Sequence, residues 1–541
     1  MRARPGKTAI YEQFAADGIT YMFGNPGTVE QGFLDEAGRS GMSYLLTLHE
    51  GVAVGMADGY ARAAQRPGLV QLHTGVGLGN GIGMLYQAKR GGSPLVVLAG
   101  DAGVRYDAMD AQMAADLVTM AEPVTKYATR VLDPASTLRV LRRAVKIAMT
   151  PPRGPVLVVL PADVLDQVTT ETAVPTSLPD TRSAPSPELV ERAASTLLAG
   201  RRPLILMGDG VAASGAQAEL REVAQRLGAP VWGVNSSEVN FDTTHPLYGG
   251  QLGHMFGADS ARVVAGADSV LVVGTYLFPE VFPSLTSPFH EDAQIVHIDL
   301  DAYEIAKNFP VDLGMVADPK LALAALAGAM DRQGAGGVPH ERRPAAGTGD
   351  TAGTGGAEDD SLLDLFVRTL AERAPAELAV FDEALTASGP LARHLPPREP
   401  GRFFQTRGGS LGVGIPGALG VKLARPELPV VGFTGDGGSM YTIQALWTAA
   451  RYGIGAKFVI CNNHRYRLLD LNIEQYWDGL GIARHTAPAA FDLSDPAIRF
   501  TDLAGSLGVP GRRVERPGQV ADAVGEMLAH DGPYLIDLDT D

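Results

Sequence analysis

The amino-acid sequence predicts an α/β protein of three consecutive domains with mainly parallel sheets. The first observation is a recurrence of short apolar runs without polar alternation. They are LVQLHT (69–74), PLVVLAG (94–100) and PVLVVLP (155–161), then PLILMGDG (203–210), SVLVVGT (269–275) and QIVHIDLD (294–301), then LPVVGFTGDG (428–437), AKFVICNN (456–463) and PYLIDLDTD (533–541). Such runs suit strands buried on both faces, and the helical stretches between them supply the crossovers of parallel sheets. The second observation is a pair of linker-like segments, 168–187 (VTTETAVPTSLPDTRSAPSP) and 333–360 (QGAGGVPHERRPAAGTGDTAGTGGAEDD). The glycine-rich second segment has too little apolar content to offset the entropy of ordering, and a flexible linker is expected there. The third is the length of 541 residues, which suits three domains of ordinary size. The predicted division is 1–167, 188–332, the linker 333–360, and 361–541.

Hydrophobic residues make up 45% and charged residues 20%, enough for real cores. The net charge of −16 argues against nucleic acid or an anionic membrane as a partner. Cys461 is the single cysteine, so intramolecular disulfides and Cys-rich metal sites are excluded; it reads as a core residue of a strand. The basic N-terminus is followed by no long apolar run, and no stretch reaches the roughly 18 residues of a membrane span. A cytoplasmic enzyme is the expectation.

The densest chemical signal lies in the third block. Gly435-Asp436-Gly437 is followed by 24 residues, 438 to 461, and then by Asn462-Asn463. Asp436 ends one apolar run and Asn463 the next, and 439–453 between them reads as a crossover helix. Neighbouring parallel strands would put both side chains at one edge of the sheet, where such sheets bind ligands. A carboxylate and an amide carbonyl are hard oxygen ligands that suit Mg²⁺ shared with waters and phosphates. The glycines admit a phosphate close to the backbone, and a following helix offers it free N–H groups. GDG alone reads equally well as a tight turn; the specific signal is both parts at this spacing.

In the first block, FGNPGTVE (23–30), TLHEGVAVGMADGYARA (47–63) and LHTGVGLGNGIGMLYQA (72–88) set Asn25, Glu50 and His73 at strand ends or turns. His49-Glu50 opens like the zinc-protease pattern HExxH, but Ala53 stands where the second histidine belongs. Gly75, Gly77 and Gly79 follow a strand as a dinucleotide fingerprint does, yet the spacing is G-x-G-x-G and the acid about 20 residues on, Asp101, lies beyond the glycine that closes the apolar run 94–100. Taken alone, Glu50 reads as an acid at a helix N-terminus. His73 alone reads as a buried histidine at a strand end, and RGGSLGVGIPGALG (407–420) as a glycine-rich turn entering a helix.

Together these segments resemble the thiamine-diphosphate-dependent enzymes of the benzoylformate decarboxylase and acetolactate synthase group, whose diphosphate motif is GDG followed by NN. The likeness covers both outer blocks almost end to end and the middle block in organisation. It implies bound thiamine diphosphate and Mg²⁺, with Asp436, Asn463 and the backbone carbonyl of Arg465 as metal ligands. Gly435, Gly437, Gly438, Tyr466 and Thr386 fall at diphosphate-side positions, Gly438 where many relatives carry Ser. Asn25, Pro26 and Gly27 fall beside the cofactor. Glu50 matches the glutamate that hydrogen-bonds the aminopyrimidine ring, which implies a proton-shuttling role; the apolar neighbours Val52, Val54 and Met56 suit it. His73 matches a histidine near the reacting carbon. Thr28 stands where benzoylformate decarboxylase has a Ser that contacts the substrate carboxylate. Gly409 matches a position whose carbonyl holds the aminopyrimidine, and Leu411 the bulky residue that bends the cofactor so that its own groups meet. In this family each site is shared between subunits, so a homodimer or homotetramer is implied, with Glu50 of one chain facing Asp436 of another.

The resemblance implies non-oxidative decarboxylation of a 2-oxo acid, with carboligation as a further activity or, in an acetolactate-synthase-like variant, as the main one. The segment 274–289 lacks the second histidine of benzoylformate decarboxylase, the chain has no His-His pair of the pyruvate decarboxylase kind, and TYLFP replaces the RFDDR-like run of acetolactate synthases. FAD is therefore not expected. Substrate choice is expected to lie in Thr28, His73, residues 276–285, and Leu468 to Tyr476. The reading from a different class is a nicotinamide oxidoreductase using the glycines at 75–81 or 208–215.

Overall fold

The computed structural model describes residues 3–335 and 361–540. Of the expected linker 333–360, residues 336–360 lie outside the described residues. Three six-stranded sheets follow one another along the chain, and every strand pair within them is parallel. This is the α/β class that the apolar runs predict.

In spatial order the first sheet runs Ser43–Leu46, Tyr21–Gly24, Gly68–Leu72, Leu95–Asp101, Val156–Pro161, Tyr127–Arg130. The second runs Tyr248–Gln251, Val231–Gly233, Pro203–Met207, Ser269–Val273, Gln294–Asp299, Leu313–Val316. The third runs Phe403–Gln405, Ala379–Glu383, Val430–Gly435, Lys457–Asn462, Tyr534–Asp539, Gly511–Val514. The chain reverses its direction of travel across each sheet between a central pair of strands. Those pairs are 21–24 with 68–72, 203–207 with 269–273, and 379–383 with 430–435. A crevice opens beyond the carboxyl ends of strands at such a reversal, because the two outgoing connections leave to opposite sides.

The segment 168–187 is a strap rather than a loose tether. Val168–Thr169 pairs antiparallel with Arg4–Pro5. The Thr176 amide donates to Asp17 at 2.7 Å, and the Ser183 carbonyl accepts from the Asp318 amide at 2.9 Å. The expected single helix over 439–453 is two short ones, Asp436–Ser439 and Ala445–Tyr452. Between them the Thr442 hydroxyl donates to the Gly412 carbonyl at 2.6 Å, and this tie holds the chain out of helical register.

One hydrophobic core spans the two outer domains, each of which also has a core of its own, and the middle domain has separate cores. The shared core is centred on two helices, Glu50–Ala64 and Gly414–Ala424. A Cβ on Gly59 would lie 2.1 Å from the Gly417 carbonyl oxygen, and one on Gly420 would lie 2.1 Å from that of Met56. Only glycine permits this approach of one backbone to another. Among the described residues no helix is long and apolar enough to cross a membrane.

Gly59→Ala and Gly420→Ala should each lower stability by about 2 kcal/mol or more, because the obstacle is backbone that cannot rotate away. Gly38→Ala, on the helix Gln31–Ser40 with open space around its Cβ, should be neutral or mildly stabilising. Thermal denaturation of the three variants checks this.

Candidate active site

Two polar clusters stand at the carboxyl edges of the first and third sheets. In the first, Glu50 opens the helix Glu50–Ala64, whose start is capped by the His49 ring accepting from the Gly51 amide at 3.0 Å. The Glu50 carboxylate is buried and accepts from two side-chain amides, Asn25 Nδ2 at 3.2 Å and Asn80 Nδ2 at 3.0 Å. Asn25 follows the strand 21–24, while Asn80 lies in the helix Thr74–Gly91. A Cβ on Gly77 would lie 3.1 Å from the same carboxylate. The Gly75–Gly79 run therefore begins a helix that closes over Glu50.

Beside this cluster His73 ends the strand Gly68–Leu72. Its Nδ1 lies 2.8 Å from Glu30 Oε2, which also accepts from the Gly27 amide at 3.1 Å. The His73 ring lies against Gly27, where a Cβ would come within 2.0 Å of Nδ1. Glu30 is 4% exposed, and its Oε1 has no hydrogen-bond partner. Burial pushes its carboxyl above the ordinary range, against the opposing pull of His73. Thr28, at the start of the short turn Thr28–Glu30, is exposed, as is Pro26.

In the third domain Asp436 follows the strand 430–435, and Asn463 follows 457–462 by one residue. Their side-chain oxygens converge on one amide: Arg465 N donates to Asp436 Oδ2 at 3.2 Å and to Asn463 Oδ1 at 3.1 Å. Burial raises the Asp436 carboxyl, while the Gly437 and Arg465 amides work against that. The Arg465 side chain turns away to form a two-pronged pair with Asp470 at 2.8 and 3.0 Å. The Tyr466 ring covers Gly437, and Gly438 is buried beside Thr434 while Gly435 borders open space. Thr386 sits in the turn Leu385–Ala387 beyond the strand 379–383. The three strands preceding Thr386, Asp436 and Asn463 are adjacent in the sheet.

Left-handed backbone marks these strand ends. Thr74, Leu385 and His464 have φ of 42°, 51° and 55°. They adjoin His73, Thr386 and Asn463, and such strain persists only where the surroundings enforce it. Gly409 and Leu411 belong to a turn with φ of 82°, 77° and 94° at Gly408, Gly409 and Gly412. Its exit is fixed by Glu383, which accepts from the amides of Gly412, Val413 and Gly414 and from the Thr434 hydroxyl at 3.2 Å.

Glu30, Asn80 and Glu383 were not among the residues singled out from the sequence. Glu30 had one legible signal, an acid three residues after Gly27 at the start of a turn. Asn80 is a polar residue in an otherwise small and apolar helix, and Glu383 reads as the ordinary end of a strand.

Three family descriptions match the chain. They are "Thiamine pyrophosphate enzyme, N-terminal TPP binding domain" over residues 4–120, the central domain over 190–326, and the C-terminal TPP binding domain over 386–538. The chain is 31% identical over 541 residues to benzoylformate decarboxylase of Pseudomonas aeruginosa, with 98% of each covered. It is 28% identical over 542 residues to the acetolactate synthase isozyme 2 large subunit of Escherichia coli, with 99% of this chain and 95% of that one covered. Its fold is similar to that of the thiamine diphosphate-dependent 4-hydroxybenzoylformate decarboxylase of Rhodococcus jostii RHA1, with a TM-score of 0.87, 28% identity and 99% of each chain covered.

Burial raises the Glu383 carboxyl to about 7, outweighing the hydrogen bonds that it accepts. A carboxyl raised on folding contributes stability below its unfolded value of 4.5 that is lost as pH climbs through the folded value. Glu383→Gln, which cannot titrate, should therefore fall short of the unmodified protein in Tm by more at pH 5 than at pH 8. An equal gap at both would mean that the three amides keep Glu383 ionised throughout.

Proposed function

The chain belongs to the thiamine pyrophosphate enzyme family, and we propose that it uses thiamine diphosphate with Mg²⁺ to release CO₂ non-oxidatively from a 2-oxo acid. The observation that carries this reading is the Glu50 cluster, a buried carboxylate aimed by Asn25 and Asn80 at the carboxyl edge of a parallel sheet.

The residues fit the cofactor and its metal. Among the described residues no three His, Cys, Asp or Glu side chains gather as a metal site, so a metal bound through protein side chains alone is not supported. One carboxylate with amide and carbonyl oxygens, from Asp436, Asn463 and Arg465, is instead the donor set of a Mg²⁺ that is completed by diphosphate oxygens and water. Gly435 leaves room for a phosphate at a helix start.

The bound cofactor would supply a nucleophilic carbon and an electron sink for the bond to the departing carboxylate. Glu50 would hold a proton at the aminopyrimidine, its plane fixed by two amide donors. With Nδ1 of His73 engaged by Glu30, Nε2 is the nitrogen free to exchange a proton near the reacting carbon. The Thr28 hydroxyl would meet the substrate carboxylate, and Leu411 would pack against the cofactor. Exposed apolar side chains in both segments expected to choose the substrate, Val281, Phe282 and Leu285 in one and Leu469 and Tyr476 in the other, favour an apolar acyl group. Each active site would lie between two subunits of a homodimer or homotetramer.

At the strand reversal of the middle domain the Gly210 amide donates to the Gly274 carbonyl at 2.9 Å, and a Cβ on Gly210 would lie 2.5 Å from Gly274 Cα, so the two outgoing turns touch there.

CO₂ release from pyruvate, benzoylformate and branched 2-oxo acids, with and without thiamine diphosphate and Mg²⁺, tests the reading. Cofactor-dependent release supports it, and an aldehyde or a 2-hydroxy ketone as product separates decarboxylation from carboligation. Glu50→Gln should lower kcat by about 10²-fold or more with cofactor affinity nearly kept. Asp436→Ala should weaken cofactor binding, and unchanged affinity would remove the metal assignment.

A further inference from the structure

The turn 408–412 holds three glycines in left-handed backbone and is intrinsically loose, yet both ends of it are clamped. Its exit is held from within the third domain by Glu383. Its entry is held from another domain. Arg407 Nη1 donates to Asp209 Oδ2 at 2.8 Å, and their side chains are 18% and 9% exposed. Asp209 follows the strand Pro203–Met207 of the middle domain. It is itself fixed by the Ser237 amide at 2.9 Å, the Ser237 hydroxyl and Asn240 Nδ2 at 2.8 Å. One residue earlier in the same strand-to-turn segment, Thr406 donates from its amide to the Asp382 carbonyl, and the Gln405 amide donates to the Ser237 carbonyl at 2.8 Å. Glu238 bridges antiparallel to Phe404. The middle domain thus extends the edge of the third sheet just before the turn begins.

We infer that Asp209 and Arg407 are positioning residues, through which the middle domain sets the Gly409–Leu411 turn against the pyrimidine half of the cofactor. The inference rests on the proposed cofactor reading. Neither side chain is assigned to the cofactor itself. Their own contacts fall at the entry to the turn, whereas Thr386, Asp436 and Asn463 on the diphosphate side follow the strands 379–383, 430–435 and 457–462.

That separation gives the test. Full-length protein carrying Arg407→Met, and separately the nearly isosteric Asp209→Asn, is titrated calorimetrically with thiamine diphosphate and with inorganic pyrophosphate, each with Mg²⁺. The expected result is a rise of about tenfold in Kd for thiamine diphosphate, the loss of one charge-assisted bond, with Kd for pyrophosphate within about twofold of the unmodified protein. Arg407→Lys, which keeps a charge beside Asp209, should recover part of the loss. A parallel weakening of both ligands would show a general scaffold role and overturn the inference, as would unchanged binding of thiamine diphosphate. Failure of the unmodified protein to bind thiamine diphosphate would instead overturn the cofactor reading beneath it.

Discussion

The contact on which the architecture depends is the backbone-to-backbone approach of the helices 50–64 and 414–424. Gly59 lies on Gly417 and Gly420 lies on Met56, with Gly55 against the Pro416 ring. At such separation many small dispersion contacts are gained at once. The approach also fixes a geometry, because each helix starts at a functional edge. Glu50 is the first residue of one helix, and the turn bearing Gly409 and Leu411 leads into the other. Sliding either helix would move the carboxylate or the turn with it, so the packing of the two domains sets where the chain presents each of these two groups.

Around that contact lie polar groups whose burial would be costly if left bare. Many are met by donors or acceptors from distant parts of the chain. Arg62 is the fullest case. Its guanidinium donates to Glu238 at 3.2 Å, to the Gln405 carbonyl at 3.0 Å and to the Ser237 carbonyl at 3.0 Å, and it lies over the rings of Phe381 and Phe404. Glu30 Oε1 and Thr74 Oγ1 are exceptions within the candidate site. A buried acceptor left over beside a histidine is a feature that stability alone does not select.

The strands were legible because burial on both faces leaves unbroken apolar runs, as at Gly68–Leu72 and Val156–Pro161. Asp436 and Asn463 were legible as a spaced pair because both follow such runs. The crossover between them was misread as one helix, since residues 440–444 lack a breaker and the tie from Thr442 to Gly412 comes from elsewhere in the chain. Glu383 and Asp209 were illegible for the same reason. Each works through partners that are near only in three dimensions: backbone amides 29 to 31 residues on for Glu383, and an arginine 198 residues on for Asp209. No local period or spacing records such a pairing.

The junction at Arg62 has a consequence for how such a chain can change. Arg62 belongs to the first domain, its partners Ser237 and Glu238 to the middle one, and Gln405 to the third. A recombinant that exchanged the middle domain for another of the same topology would keep the guanidinium groups of Arg62 and Arg407 and lose their ion-pair partners Glu238 and Asp209. The three units look like interchangeable modules in strand order, but the ion pairs across their borders make each depend on the residues of the others.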